Sequence, residues 1–162
     1  MFTDQITCEL ILLIGIPASG KSTFRENNFP EAVIINPDSF IGYTKEDPWT
    51  PNVVMKAWKK SDELLEEYIF DGKEKIIFDA TFVSPKRRKK YIKIAKKYNI
   101  KISAIYIKTS FELAIERNKK RDPYRMVPEN TMLKMYKQLI PPSKEEGFDE
   151  VFCFEDKKLK KY

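Results

Sequence analysis

The sequence predicts a three-layer α/β domain with a mostly parallel, roughly five-stranded sheet. Apolar runs alternate with helical patterns along the chain, the order that builds βαβ units. The runs are unbroken stretches of Ile, Val and Leu, as strands buried on both faces require. The first run ends in a glycine-rich turn that opens a helix.

The elements follow in order. "CELILLI" (8–14) is a buried-strand run that stops at Gly15, and residues 21–28 open a helix. "AVIIN" (32–36) is a second strand. Residues 52–70 carry apolar side chains at helical spacing, Val54, Trp58, Leu65 and Ile69 among them. "EKIIFDA" (74–80) is a third strand. Ser84 and Pro85 then start a helix over 84–98 as N-cap and first helical residue. "KISAIYI" (101–107) is a fourth strand. A helix over 110–121 is capped by Ser110 with a Glu near the capping-box position, and another runs from Pro128 to Ile140. "EVFCFE" (150–155) is the last strand, and the basic tail over about 156–162 is expected to fray.

The 162 residues suffice for one domain with a sizeable core. The formal charge of +6 suits a polyanionic partner as well as plain solubility. Cys8 and Cys153 have no metal-type spacing and sit in apolar runs, so buried reduced thiols and a cytoplasmic setting are expected. The N-terminal residues show no basic leader, and no apolar run reaches the roughly 20 residues of a membrane span. Histidine is absent, which removes the usual general base and zinc ligand. Proton transfer falls to a carboxylate, Lys, Tyr or Cys.

Gly15 to Ser22, "GIPASGKS", matches G-x-x-x-x-G-K-[ST], so the sheet belongs to a P-loop NTPase fold. Such a loop turns its N–H groups onto phosphate oxygens at a helix N-terminus. Gly15, Ala18, Ser19, Gly20, Lys21, Ser22 and Thr23 are the nucleotide-binding candidates, with Lys21 on the terminal phosphates and the Ser22 hydroxyl on Mg²⁺. Asp79 ends the third strand, where a carboxylate either holds Mg²⁺, directly or through water, or caps the next turn. Asp38, after the second strand, is either the base for a hydroxyl acceptor or the cap of a short helix. Arg117 and Arg121 share a helix face, and Arg125 follows in a short lid over about 118–127. Arginines so placed neutralise a transferring phosphoryl group or form a solvated helix end. Arg87 and Arg88 open the basic helix near the same sheet edge and either contact acceptor phosphates or face solvent.

These pieces together resemble the kinase domain of the phage-type polynucleotide 5′-hydroxyl kinases. The resemblance rests on "GIPASGKSTF", "INPDSF", "DATFVSPKRRKKYIKIAKKY" and "ERNKKRDPYRMVPENTMLKMYK", in family order over most of residues 9–140. It implies ATP-dependent phosphorylation of a 5′-OH end of RNA or DNA, with ATP as donor and Mg²⁺ as cofactor. It implies Asp38 as general base, Lys21 and Arg121 on the phosphates in the transition state, and Arg117 supporting the lid. Asp79, Thr81, Arg87 and Arg88 match positions on the acceptor side. The chain departs from the family at Ile41, where an Arg that contacts the acceptor's phosphate is typical, and at Pro37, where a basic residue is. Its lid is slightly longer between Arg121 and Val127. The phosphatase motif of some family members is missing, so 3′-end phosphatase activity is not expected of this sequence; the resemblance allows a ligase or phosphatase on another chain as partner.

Two other readings compete. A small-molecule kinase on the same fold needs no grip on a backbone phosphate, which suits Ile41. A nucleotide-binding regulatory module needs no base, which Asp38, Asp79 and Arg121 argue against. Tyr43 and Trp49, in an insertion after Asp38, either stack a terminal base or pack their own loop.

Overall fold

A computed structural model describes residues 8–162. Its sheet contains β1 (Glu9–Ile14), β2 (Val33–Ile35), β3 (Lys75–Asp79), β4 (Lys101–Ile107), β5 (Glu150–Glu155) and β6 (Lys158–Lys161). The strand order is β2-β3-β1-β4-β5-β6, with every pair parallel except β5–β6. The helices are α1 (Lys21–Asn28), α2 (Pro51–Phe70), α3 (Pro85–Lys97), α4 (Phe111–Lys119) and α5 (Glu129–Gln138).

Side chains alternate across the sheet, and both faces are dry. Leu10, Leu12 and Ile14 join Ile76, Phe78, Ile102 and Ala104 in one core, against Trp58 and Leu65 of α2 and Tyr91 and Ile92 of α3. Ile11 and Leu13 point the other way, into a second core with Phe24 of α1, Ile77, Ile105 and Ile107. A third cluster packs Ile16 under Ala114 of α4 and Met132 of α5. The P-loop that follows β1 is therefore clamped from three sides by apolar burial, which contributes about 25 cal/mol per Å² of apolar surface removed from water.

Cys8 and Cys153 are both buried free thiols. Ser110 caps α4 by accepting from the Leu113 N–H at 3.3 Å. Ser84 sits at the N-cap of α3, but its hydroxyl makes no cap hydrogen bond; Pro85 sets the start instead. Among the described residues, no helix is long and apolar enough to cross a membrane.

Two expectations need correction. The 156–162 tail does not fray: Asp156 and Lys157 turn the chain with positive φ, and β6 pairs antiparallel with β5 as a sixth strand. Lys161 secures it by a 2.7 Å hydrogen bond to Glu150. Arg88 is also not at the working edge. It is fully buried, with Nε and Nη2 forking onto Glu146 at 2.9 and 2.8 Å. Its Nη1 donates to the carbonyls of Phe82 and Ile140. A guanidinium this deep is stable only with its donors engaged; four of its five N–H groups bond inside the fold, and with no exposed surface it cannot reach an acceptor phosphate.

Arg88 thus staples α3 to the 140–147 segment. Replacing Arg88 with Met strands Glu146 and two carbonyls, and is expected to lower stability by about 3–5 kcal/mol. A urea unfolding series should show the midpoint fall at an unchanged slope.

Candidate active site

The cradle begins where β1 ends. A Cβ on Gly15 would lie 2.7 Å from Ser19 Oγ and 3.0 Å from the Ile107 carbonyl, so the loop closes only over glycine. Ala18 at φ 59° and Gly20 at φ 99° then turn the chain into α1, whose free N–H groups face the loop's concavity. Ser19 is the tether. Its carbonyl accepts from Thr109 Oγ1 at 2.8 Å and from Arg117 Nη1 at 3.2 Å. Arg117 therefore braces the P-loop from α4.

The Lys21 ammonium donates to the carbonyls of Gly15 and Ile16 at 3.0 and 2.9 Å. Burial pushes its pKa down to about 8; Asp79 and Asp38 oppose the shift, and Arg121 adds to it. A desolvated ammonium resting on neutral carbonyls fits an anionic ligand, and nucleotide phosphates are the anion that this loop shape accepts.

Asp79 is buried at the end of β3, and its Oδ2 accepts from Ser22 Oγ at 3.1 Å and Arg25 Nε at 2.9 Å. It bonds α1 rather than capping its own turn. The Ser22 hydroxyl and the Asp79 carboxylate are hard oxygen donors side by side, a set that suits Mg²⁺ carried in on phosphate oxygens. Among the described residues no three acidic or Cys side chains cluster as a metal cage of their own. Thr81, just beyond, accepts from the Gly15 N–H through its carbonyl at 3.2 Å. Phe82 holds the turn at φ 44°, locked among Trp58, Phe78 and Tyr91.

Asp38 lies in a 3-10 turn, Pro37–Phe40, after β2. The cap of that turn is Asn36, whose Oδ1 accepts from the Asp38 N–H at 2.9 Å. The Asp38 carboxylate is exposed and accepts instead from Tyr43 Oη at 2.8 Å. Pro37 is buried, and Ile41 is only 5% exposed, so the position where an Arg was expected belongs to the core.

The lid is closed at its base by Asn118. Its side-chain amide donates to the Val127 carbonyl at 2.7 Å and accepts from the Val127 N–H at 3.0 Å. Asp122 organises the tip, accepting from the N–H groups of Tyr124, Arg125 and Met126. Arg125 then lies over the Tyr43 ring, 5.1 Å from its centroid. Arg121 is exposed and acts electrostatically on both Lys21 and Tyr43. Lys21, Asp79, Asp38, Arg121 and Arg125 thus share one neighbourhood. Arg87 is exposed on the first turn of α3, and Trp49 is exposed rather than packed in its loop.

A P-loop tethered beside the end of β4, an acid at the end of β3 and an arginine-bearing segment after α4 thus meet at one sheet edge. The chain belongs to the AAA domain family AAA_33, whose model matches residues 10–142. The bifunctional polynucleotide phosphatase/kinase of Schizosaccharomyces pombe is 28% identical over 157 residues, covering 95% of this chain and 35% of that protein. The L-seryl-tRNA(Sec) kinase of Methanococcus maripaludis is 26% identical, covering 86% of this chain and 56% of its own length. A chain of the Pnkp1/Rnl/Hen1 RNA repair complex superposes with a TM-score of 0.70 at 23% identity, over 82% of this chain and 44% of that one. A gluconokinase from Sinorhizobium meliloti shares the fold at a TM-score of 0.60 and 16% identity, over 91% of this chain and 83% of its own. This chain therefore spans about a third to a half of its curated relatives. Both of those are kinases by name, which supports a phosphotransferase; kinases of this family use ATP and typically Mg²⁺.

Arg25 and Asn118 escaped the sequence reading. Arg25 falls three residues after Ser22 on α1, so helical spacing alone would have put it beside the metal-side hydroxyl. Replacing Lys21 with Ala should weaken ATP binding roughly 10- to 100-fold in calorimetry, the loss of a charge-assisted phosphate contact. Replacing Asn118 with Ala should speed amide exchange across residues 120–127 while leaving the β1 and β4 amides protected.

Proposed function

We propose that the chain transfers the γ-phosphoryl group of ATP to the 5′-hydroxyl of an RNA or DNA end. The observation that carries this reading is Asp38. Its capping role is taken by Asn36, and its carboxylate stands exposed in the field of the P-loop lysine and the lid arginines. Nucleotide binding alone needs no such acid.

The roles follow from position. Asp38 accepts the proton of the attacking hydroxyl. The hydroxyl oxygen bonds to the γ-phosphorus as the bond to the bridging oxygen breaks, and ADP departs. Lys21 and Arg121 neutralise the charge spread over the transferring group, with Arg125 from the lid. Ser22 and Asp79 would hold Mg²⁺ together with the nucleotide's phosphates, and the ion supplies further charge neutralisation there. Arg87 and the exposed lysines of α3 are the phosphate contacts of the acceptor strand, in place of the inward-facing Ile41. A ligase or phosphatase on another chain would act on the same end. The two buried thiols suit a cytoplasmic setting.

One observation favours a second reading. With Ile41 in the core, the acceptor side lacks the expected phosphate grip, as a small hydroxyl acceptor would permit.

Incubation with γ-labelled ATP, Mg²⁺ and 5′-OH oligonucleotides separates the two. Label should pass to RNA or DNA, and Asp38→Asn should reduce transfer by roughly a hundredfold or more while ATP still binds. Label appearing only in a metabolite mixture would establish the second reading. Near-normal turnover by Asp38→Asn would remove Asp38 from the base role.

A further inference from the structure

We propose that Tyr43 is a positioning residue that fixes the Asp38 carboxylate through its hydroxyl and ties it to the lid through its ring. The proposal rests on Asp38 being the base, and it names the side chain that orients that base.

Tyr43 is held to this task by its loop. It sits at φ 54°, a left-handed conformation that costs a tyrosine free energy and persists only where the surroundings enforce it. Asp47 provides the enforcement. Its carboxylate accepts from the Gly42 N–H, its carbonyl accepts from the Thr44 N–H, and its own N–H donates to Thr44 Oγ1. These bonds close residues 42–47 into a pedestal that folds the ring back over the preceding turn. There Tyr43 Oη donates to Asp38 Oδ1 at 2.8 Å, and Arg125 Cζ lies 5.1 Å from the ring centroid.

The consequences are chemical. A carboxylate whose Oδ1 is held cannot rotate freely, so Oδ2 keeps one direction toward an incoming hydroxyl. Burial, and then the Asp38 carboxylate itself, push the Tyr43 hydroxyl well above the ordinary tyrosine range, so it remains a donor at any working pH. The ring gives Arg125 a seat by cation–π attraction. Base and lid are joined through one side chain, since the ring that seats Arg125 carries the hydroxyl that holds Asp38. The groups acting on this pair are Lys21 from the P-loop and Arg121 and Arg125 from the lid.

The test uses the full chain, 5′-OH RNA and DNA oligonucleotides, and NMR of the Asp38 carboxyl carbon. Tyr43→Phe keeps the ring and removes the hydroxyl. It should lower kcat roughly tenfold or more, as loss of a hydrogen bond to a charged group does, with KM for ATP unchanged. Losing the donor on Oδ1 should also move the Asp38 carboxyl-carbon resonance at a fixed pH, a change that a mere packing role for the ring would not produce. Arg125→Ala should slow the wild-type enzyme but add little in a Tyr43→Leu background. An unchanged kcat with an unmoved Asp38 carboxyl-carbon resonance in Tyr43→Phe would overturn the hydroxyl's role. Full additivity of Arg125→Ala and Tyr43→Leu would overturn the tie to the lid. Should the wild type phosphorylate neither RNA nor DNA, the substrate reading falls, and the Asp38 carboxyl-carbon resonance in Tyr43→Phe still decides the contact.

Discussion

The Asp79 carboxylate holds the site together. It lies at the end of β3, 4% exposed, and a charge so deep must be compensated. Arg25 supplies the charge and Ser22 a hydrogen bond, both onto the same oxygen and both from α1. The first helix is therefore pinned to the sheet by its polar face as well as by Phe24. That pin sets the direction of Lys21 and the N–H groups of the P-loop. The Arg25 guanidinium thus sets the charge around the one oxygen that also bonds the Ser22 hydroxyl.

The surroundings of Asp38 are organised differently. They are built from an exposed turn and a surface loop rather than from buried ion pairs. Asn36 frees Asp38 from capping, and the loop closed by Asp47 returns Tyr43 to it. A P-loop fixed by buried contacts is thus combined with an Asp38 turn held by a few exposed hydrogen bonds. Loops positioned on a firm scaffold are where binding specificity is most readily altered.

Much of this was legible in the sequence. β4 and β5 match their predicted runs to the residue, because each is a mainly apolar stretch set between polar, turn-forming segments. The P-loop was equally plain, since its glycines answer to steric demands that no other residue meets. Where legibility failed, the determinant was distant or conformational. Arg88 reads as one more charge in a basic helix, because its partner Glu146 lies 58 residues away. β6 is exposed along its whole length and rich in lysine, so it carries no apolar signature, and only its turn betrays it. Tyr43 meets Asp38 through a backbone angle that nothing about a tyrosine announces.

The Asn118–Val127 clamp has an evolutionary consequence. It makes the lid a loop whose two ends are joined whatever lies between them. Residues can be added or lost at the tip at small entropic cost, because the closure is set at the neck and the sheet never feels the change. A lineage bearing such a neck is free to try new lid lengths while its catalytic floor stays intact. The lid here carries Arg125 out to the Tyr43 ring, a contact made at the part of the loop that this freedom leaves open to change. Substrate range in such a fold can then drift through the length of one loop, with no substitution in the cradle itself.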